Sequence, residues 1–488
     1  MRKLKIEKMN NPLHASETGQ TFLAVDLGAT SGRTILGTQA DGKIEQRELT
    51  RFANPMIQLR GHLYWDIYAL YAEIVHALCL VADEGIALTS IGIDTWGCDF
   101  VMVGKDGGLL RNPYCYRDQH TQGAMEELFR RMPRETVYEK TGIQFMPFNS
   151  LFQLDTLQRH GDSALAAAEK ILFIPDALTY LLTGEAVCEY TVLSTSQLLN
   201  PRTRRIDTDL LRLIGLEERQ FGRMVEPGQV VGTLSPEVQR LTGLGAVPVV
   251  AVAGHDTASA VAAVPARDQH FAYLSLGTWS LLGIETEQPI ISTESLHYNL
   301  TNEGGVDGTT RVLKNICGMW LLEQCRKEWS DAPQEVNRIN DEAMQVEWCG
   351  SLVNPDDPRF ANPPSMVEAI TGYCRETGQP VPADYRQMAR TIFESLAHRY
   401  AEALRWLSEL APFSIDRLHV IGGGSRNGHL MQLAANATGL PVIAGPAEGT
   451  AMGNILMQAR AAGMDVGLYE MRQIVANSVQ LKTYEPRQ

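Results

Sequence analysis

Asp26 lies where an apolar strand gives way to a glycine turn. In AVDLGATSGRTIL (residues 24–36) the turn contains Gly28, Thr30 and Ser31, and a second strand follows it. Such a hairpin can hold a phosphate, because glycines let backbone N–H groups approach the oxygens, hydroxyls add donors and the carboxylate can orient a hydrated Mg²⁺. The alternative is an ordinary hairpin, which this stretch taken alone favours.

Asp256 follows a second apolar run. In VPVVAVAGHDTASAV (residues 247–261) a buried strand leads into a Gly-His-Asp-Thr turn and an Ala-rich helix, so Asp256 lies at a strand-to-helix junction. A carboxylate in that position can take the proton of a substrate hydroxyl during group transfer. It can equally be a helix N-cap, for which Asp is a favoured residue, and the local sequence does not separate the two roles.

The opening hairpin has a counterpart in the second half of the chain. YLSLGTWSLLGIE (residues 273–285) repeats the order strand, Leu-Gly, hydroxyl-bearing turn, strand, with Ser275 at the position of Asp26. Similarity at a separation of about half the chain predicts two related domains with a boundary near residues 265–270. Two facing hairpins would then contact one anion from both sides.

Three further segments fit a nucleotide or sugar site at the ends of strands. SIGIDTWGCDFVMV (residues 90–103) predicts a strand that breaks at Trp96 and Gly97 and then resumes. LHVIGGGSRN (residues 418–427) places three glycines between a strand and a helix, although it lacks the last glycine of the dinucleotide fingerprint, and GxxxxGK[ST] is absent from the chain. The small residues of PVIAGPAEGTAMG (residues 441–453) predict a helix that packs closely on a neighbouring domain.

Other segments predict scaffold. Apolar spacing predicts amphipathic helices at residues 66–82 and 388–410, and a buried helix at residues 311–329 that carries Lys314 and Asn315. The patch GIQFMPFNSLFQL (residues 142–154) could line a polar cleft, but aromatic residues in a Pro-containing loop more often form a satellite core, which is the favoured interpretation.

Composition sets the broad class. The chain has 488 residues, of which 44% are hydrophobic, and a formal charge of −14, which argues against a general binder of nucleic acid or anionic membranes. Its eight cysteines are scattered without a CxxC pair, which indicates neither a zinc site nor a disulfide framework. No apolar run is long enough to span a bilayer, so we expect a cytoplasmic protein with a loose extension at residues 1–20.

The order of these elements resembles the actin, hexokinase and Hsp70 superfamily, in which two ribonuclease-H-like domains close around ATP. Within it the chain is similar to the FGGY family of carbohydrate kinases. The strings AVDLGATSGR, SIGIDTWGCDF, AGHDTASAV, YLSLGTWSL, TNEGG, RVLKN and VIGGGSRN carry the resemblance, which covers nearly everything after residue 20. It implies an α/β fold with a sugar-binding N-terminal domain at residues 21–265, a C-terminal domain at residues 266–488 and a central interdomain cleft.

The resemblance also implies roles for particular residues. Asp256 would be the proton acceptor and Asp26 would face Mg²⁺. The implied sugar contacts are Gly97, His255, Asp256, Thr257 and Asn315. The implied ATP contacts are Ala29, Thr30, Ser31, Gly32, Arg33, Thr278, Glu323 and Gly423. Glu323 departs from the pattern, since the family carries a glutamine there, and this puts that contact in doubt.

The implied activity is transfer of the γ-phosphoryl group of ATP, with Mg²⁺, to the 1-hydroxyl of L-rhamnulose. A kinase of another ketose or polyol, such as L-fuculose, D-xylulose or glycerol, is an alternative, and a non-catalytic, nucleotide-dependent sugar sensor is a more distant one. The expected partners are therefore ATP or ADP and a small ketose, with neither nucleic acid nor membrane, in a monomer or small homo-oligomer.

Overall fold

The N-terminal half is built on a six-stranded mixed sheet. The structure is a computed structural model that describes residues 19–487. The central strand Gln20–Leu27 pairs antiparallel with Ser31–Ala40, forming the predicted hairpin, and parallel with Leu88–Thr95. In spatial order the strands are Gln229–Thr233, Pro248–Ala251, Leu88–Thr95, Gln20–Leu27, Ser31–Ala40 and Lys43–Ala53.

The C-terminal half is built on a seven-stranded sheet around the second predicted hairpin. Strand Phe271–Leu276 pairs antiparallel with Trp279–Thr286 and parallel with Arg417–Ile421. In spatial order the strands are Thr301–Gly304, Thr310–Cys317, Trp279–Thr286, Phe271–Leu276, Arg417–Ile421, Val442–Ala444 and Lys482–Tyr484.

The two sheets share one plan. Each has three antiparallel strands that begin with the hairpin, then two parallel strands, then an antiparallel edge strand, and the C-terminal sheet adds one strand at its other edge. This matches the fold class expected from the repeated hairpin, an α/β protein of two related domains. The first strand begins at Gln20, so the last residue of the expected extension belongs to the sheet, and residues 1–18 lie outside the described part.

Helices cover both sheets. The predicted amphipathic helices are found at Ile67–Asp83, where the Asp66 side chain caps the N-terminus by accepting from the N–H of Ala69, and at Tyr385–Leu410. The other helices of eight or more residues are Arg134–Thr141, Ser150–Arg159, Ile174–Thr183, Trp320–Glu328, Val336–Met344, Met366–Glu376, Gly428–Thr438, Gly449–Ala461 and Leu468–Ser478. Shorter helices are Ala124–Phe129, Ser163–Ala167, Tyr190–Ser194, Thr208–Leu213, Pro236–Thr242, Asp256–Ala262 and Thr293–His297.

Small elements complete the chain. Short strand pairs are Ile57–Leu59 with His62–Tyr64, Phe100–Val103 with Lys170–Phe173, Val187–Glu189 with Arg223–Val225, and Leu199–Asn200 with Arg205–Ile206. The 3₁₀ turns are Gln119–Thr121, Glu218–Gln220, Val306–Gly308, Pro358–Phe360 and Gly423–Arg426.

Helix Gly449–Ala461 joins the two halves. It packs on the first strand of the N-terminal sheet and on helix Asp256–Ala262. A Cβ at Gly453 would lie 1.8 Å from the carbonyl oxygen of Ser259, so only glycine allows the two helices to approach this closely. The predicted close packing of this small-residue helix is confirmed.

The prediction of a buried helix at residues 311–329 is wrong for its first half. Residues Thr310–Cys317 form a strand, and the helix begins only at Trp320. Val312 and Ile316 are four residues apart, a spacing that puts side chains on one face in a helix and in a strand alike. The strand is buried almost throughout, so it lacks the alternation that would have identified it.

Two compositional expectations can be compared with the structure. The eight cysteines, all within residues 19–487, are free thiols. Among the helices of that same stretch, none combines the length and the apolar character needed to cross a membrane.

Candidate active site

A cavity of about 370 Å³ lies between the two domains. Its walls include the turns of both hairpins, the end of strand Leu88–Thr95 and the Gly-His-Asp-Thr turn, because the carboxyl ends of the parallel strands meet at this edge of the sheet. Of the residues predicted for the site, those that line the cavity are Asp26, Ala29, Thr30, Ser31, Arg33, Gly97, His255, Asp256, Thr257, Thr278, Asn315 and Gly423.

Asp26 forms an ion pair across the first hairpin. It is the cross-strand partner of Arg33, whose Nε and Nη2 donate to Asp26 Oδ2 at 2.9 and 2.7 Å. Arg33 Nη1 also donates to Glu448, the residue just before helix Gly449–Ala461. The first turn therefore carries a fixed charge pair that extends to the other domain.

Asp256 is the first residue of its helix rather than its cap. The N-cap position is His255, which makes no side-chain capping bond. The Asp256 side chain is about 30% exposed, toward the cavity, and accepts from the Thr257 hydroxyl at 3.2 Å. Desolvation raises the pKa of this carboxyl above its ordinary value, the negative charge of Asp26 adds to that effect, and hydrogen bonds from Thr257 oppose it.

The strand ends that hold Asp256 are tied together by backbone and side-chain bonds. The Thr95 N–H donates to the Gly254 carbonyl at 2.9 Å, and the Gly254 N–H donates to the Glu189 carboxylate at 3.0 Å. Glu189 also accepts from the N–H groups of Thr191 and Val192, although desolvation raises its pKa to about 7. This carboxylate fixes the backbone that leads into the Gly-His-Asp-Thr turn.

Gly97 faces Thr195 across the cavity wall. A Cβ at Gly97 would lie 2.7 Å from Thr195 Oγ1, and the same hydroxyl accepts from the N–H of Cys98 at 3.1 Å. Cys98 itself has a positive φ of 71°. Glycine is therefore needed at position 97 for a close approach, and it offers the cavity only its backbone.

The aromatic patch at residues 142–154 contributes to the cavity as well as to a core. Gln144, Met146 and Phe148 line the cavity, whereas Leu151 and Phe152 are buried in a separate apolar cluster. The favoured satellite-core interpretation is therefore only half right. The Asn149 N–H donates to the Met146 carbonyl at 3.1 Å and closes a turn within the patch, which local composition does not reveal.

Gln144 holds Asn315 from the opposite domain. Its Oε1 accepts from the Asn315 N–H at 2.8 Å and from Asn315 Nδ2 at 3.3 Å, while its Nε2 donates to the Asn315 carbonyl at 3.2 Å. These bonds orient the Asn315 side chain from strand Thr310–Cys317.

The second hairpin presents a neutral wall. Ser275, Gly277, Thr278 and Trp279 line the cavity, and the Trp279 indole N–H donates to the Tyr116 hydroxyl at 3.2 Å. Gly423, the first residue of the 3₁₀ turn Gly423–Arg426, completes this side.

Two predicted ATP contacts do not line the cavity. Gly32 lies in strand Ser31–Ala40, where a Cβ would meet the Phe52 ring at 2.3 Å, so its role is packing behind the turn. Glu323 lies in the first turn of helix Trp320–Glu328, and both its carboxylate oxygens accept from Arg326, at 2.8 and 2.9 Å.

Sequence models of the FGGY family of carbohydrate kinases match both halves of the chain. The N-terminal domain of that family matches residues 21–263 and its C-terminal domain matches residues 272–462. The chain belongs to the FGGY family of carbohydrate kinases.

Curated relatives match over nearly the whole length of this FGGY-family chain. It is 59% identical over 468 residues to a protein of Bacteroides thetaiotaomicron named rhamnulokinase, with 96% of each chain covered. A rhamnulokinase of Pectobacterium atrosepticum is 43% identical over 470 residues, covering 96% of this chain and 93% of the relative.

Solved structures share the fold. A gluconate kinase from Lactobacillus acidophilus superposes with a TM-score of 0.79 at 18% identity, and a xylulose kinase from the same organism superposes with 0.78 at 18%; each covers 96% of this chain and 94% of the other. At this identity the likeness concerns the fold alone, and it confirms the predicted two-domain architecture.

Sequence reasoning missed three charged residues of this FGGY-family site. Glu303 lines the cavity and Arg311 lies behind it, next to His255, while Glu448 bridges Arg33 and Arg426. Glu303 and Arg311 lie in TNEGG and RVLKN, which carry the family resemblance, but the sequence holds no signal for their chemistry, because the two charges meet only after strands Thr301–Gly304 and Thr310–Cys317 pair.

Proposed function

We propose that this chain is an ATP-dependent sugar kinase that phosphorylates the 1-hydroxyl of L-rhamnulose, giving L-rhamnulose 1-phosphate and ADP. The kinase activity is supported above all by the position of Asp256, a partly exposed carboxylate in an interdomain cavity between two glycine turns. The choice of sugar is supported by relatives named rhamnulokinase that match 96% of the chain.

Asp256 serves as the general base. Its carboxylate takes the proton of the sugar hydroxyl while that oxygen forms a bond to the γ-phosphorus, and the bond from the γ-phosphorus to the bridging oxygen of ADP breaks. The raised pKa of Asp256 suits this role, because a more basic carboxylate is a stronger proton acceptor.

The turns of the two hairpins hold the phosphates. Ala29, Thr30, Ser31 and Arg33 approach from one side and Thr278 from the other, with Gly423 near the nucleotide. Gly32 supports the first turn from behind. Glu323 can contact the nucleotide only if its ion pair with Arg326 breaks, so we propose that its contact is the weakest of the ATP contacts.

Asp26 is suited to Mg²⁺ that arrives with ATP. Both bonds from Arg33 go to Oδ2, which leaves Oδ1 to accept from a water of the hydrated ion. Within residues 19–487 there is no group of three or more His, Cys, Asp or Glu side chains arranged to hold a metal, which favours a nucleotide-borne ion over a resident one. The ion would neutralise charge on the β- and γ-phosphates.

The sugar lies against the opposite part of the cavity. His255, Thr257 and Asn315 offer polar side chains there and Gly97 offers its backbone. Neighbouring Met146 and Leu281 give the same region an apolar component that suits a deoxy-sugar methyl group.

The test is ADP release with a panel of sugars. We expect L-rhamnulose to be preferred over L-fuculose, D-xylulose and glycerol when compared by kcat/KM, and product analysis to show the 1-phosphate. Preference for another ketose would reject the assigned substrate, and ATP binding without sugar-dependent turnover would reject the kinase assignment in favour of a sensor.

A further inference from the structure

His255 contacts a buried charge pair from the other domain. Its Nδ1 lies 3.2 Å from Arg311 Nη2 and 3.3 Å from Glu303 Oε2, while its Nε2 lies 3.5 Å from Asp256 Oδ1. Arg311 is fully buried and lies 3.2 Å from Glu303, which balances its charge.

Arg311 is held in one orientation. Its Nε donates to the Gly304 carbonyl at 2.9 Å, and Gly304 is fixed in turn because its N–H donates to the Ser194 hydroxyl at 2.7 Å. The guanidinium therefore has little freedom to turn away from the imidazole.

An arginine has donors and lacks acceptors, so a ring nitrogen that bonds to it must present a lone pair. The contact between Arg311 Nη2 and His255 Nδ1 has hydrogen-bond geometry, whereas the contact between Glu303 Oε2 and the same ring nitrogen, at 3.3 Å, does not. Nδ1 is thus the acceptor, and the proton of the neutral ring is on Nε2.

We propose that Arg311, balanced by Glu303, is a positioning residue that fixes His255 as the neutral Nε2–H tautomer, so that this ring donates toward Asp256 and the sugar oxygen beside it. The catalytic consequence rests on the proposed function, whereas the tautomer does not. Because ring and guanidinium belong to different domains, their bond links the domain arrangement to the orientation of the ring.

The direct test is a long-range ¹H–¹⁵N spectrum of protein labelled with ¹⁵N-histidine. The chain has 11 histidines, so His255→Gln is needed to identify the signals of this ring. We expect the Nε2–H pattern in the unsubstituted protein, even without substrates. An Nδ1–H pattern would overturn the proposal.

The second test removes the donor. Arg311→Met should shift His255 toward the Nδ1–H form, which can donate to Glu303, and lower kcat/KM for the sugar by about tenfold or more, the scale of a lost hydrogen bond to a charged group. The KM for ATP should stay within about twofold of the unsubstituted value. A variant with general structural damage would instead be impaired toward both the sugar and ATP. Arg311→Lys keeps a charged donor without an acceptor and should restore much of the loss.

Arg399→Met is the matched control. Arg399 pairs with Asp356 at 2.6 Å in the same domain but does not line the active-site cavity, so this variant should leave both the His255 signals and the sugar kinetics unchanged. If Arg311→Met does not fold, the Glu303→Gln/Arg311→Met double variant removes the buried charges together. Unaltered tautomer and sugar kinetics in either variant would refute the proposal, whereas inactivity on L-rhamnulose with an Nε2–H ring would reject only the proposed substrate.

Discussion

The two hairpins share a backbone plan but differ at their turns. In the first, Leu27 pairs with Gly32 and the Gly28 N–H donates to the Ser31 carbonyl at 2.9 Å. In the second, Leu276 pairs with Ser280 and the Gly277 N–H donates to the Trp279 carbonyl at 2.8 Å. The second turn is thus one residue shorter, so Ser31 and Ser280, aligned in the sequence repeat, are not equivalent in space.

Their side chains differ more than their backbones. Asp26 and Arg33 form a charged cross-strand pair in the first hairpin, whereas Ser275 pairs with Leu281 in the second. Both hairpins therefore have a turn whose N–H groups can bind phosphate, whereas only the first hairpin carries a carboxylate that can orient a cation. Four measurements test this division.

The largest loss of activity is expected from Asp256, which belongs to neither hairpin. Asp256→Asn should lower the sugar-dependent ADP release rate by about 100-fold or more, the usual scale for a general base, and leave ATP affinity nearly unchanged. Steady-state kinetics and nucleotide titration measure both. Asp209→Asn, at an exposed site, is the control, and a rate near that of the unsubstituted protein in Asp256→Asn would remove Asp256 from the mechanism.

The next effect concerns the packing behind the turns. Gly32→Ala should lower the free energy of unfolding by about 1–3 kcal/mol, because its Cβ would lie 2.3 Å from the Phe52 ring and 2.6 Å from Leu27 Cδ2. A Cβ at Gly277 would lie 4.0 Å from its nearest neighbour, the Trp279 carbonyl oxygen, which is an ordinary contact. Gly277→Ala should therefore change the free energy of unfolding by less than about 0.5 kcal/mol. Denaturant unfolding compares the two, and equal losses would show that the turns are packed alike.

A third comparison uses equivalent positions. Asp26→Asn should lower kcat/KM by about tenfold and raise the Mg²⁺ concentration needed for half-maximal rate, because a charged hydrogen-bond acceptor is lost. Ser275→Ala should change the rate by less than about twofold, because it removes only an uncharged hydroxyl at the cavity wall. Similar losses of activity in both variants would contradict the assignment of the charged role to the first hairpin.

The smallest expected effect is a dependence of stability on pH that comes from a strand beside the second hairpin. His419 is the cross-strand partner of Tyr273 in the second sheet, as Gly92 is of Ala24 in the first. Burial, with added repulsion from Arg417 and Arg472, lowers the pKa of His419 to about 3. Below its ordinary pKa of about 6.5 the unfolded chain then binds a proton that the folded chain does not, so stability falls as pH falls.

This contribution can be isolated with His419→Asn. Between pH 7.5 and 5.5 the unsubstituted protein should lose about 1 kcal/mol more unfolding free energy than the variant does, since one pKa unit corresponds to about 1.4 kcal/mol. Parallel pH profiles for the two proteins would show that His419 has the same pKa in the folded and the unfolded chain, which would contradict the expected lowering.

The sequence predicted backbone features better than side-chain encounters. Both hairpins, helices Ile67–Asp83 and Tyr385–Leu410, and the strand-to-helix junction at Asp256 follow from local patterns of apolar and turn residues. Asn315 was predicted in a helix and lies in a strand, because a spacing of four residues fits either element and pairing with strand Trp279–Thr286 decides between them.

By itself the sequence determined that two similar hairpins, a Gly-His-Asp-Thr turn and a glycine-rich turn recur in the order of one kinase family, since turns and strand ends depend on neighbouring residues. Only the tertiary structure decided which charges meet. Arg33 with Glu448, Gln144 with Asn315, and His255 with Arg311 and Glu303 are contacts between segments that are distant along the chain. Their geometry depends on how the two sheets face one another, which local residue patterns do not encode.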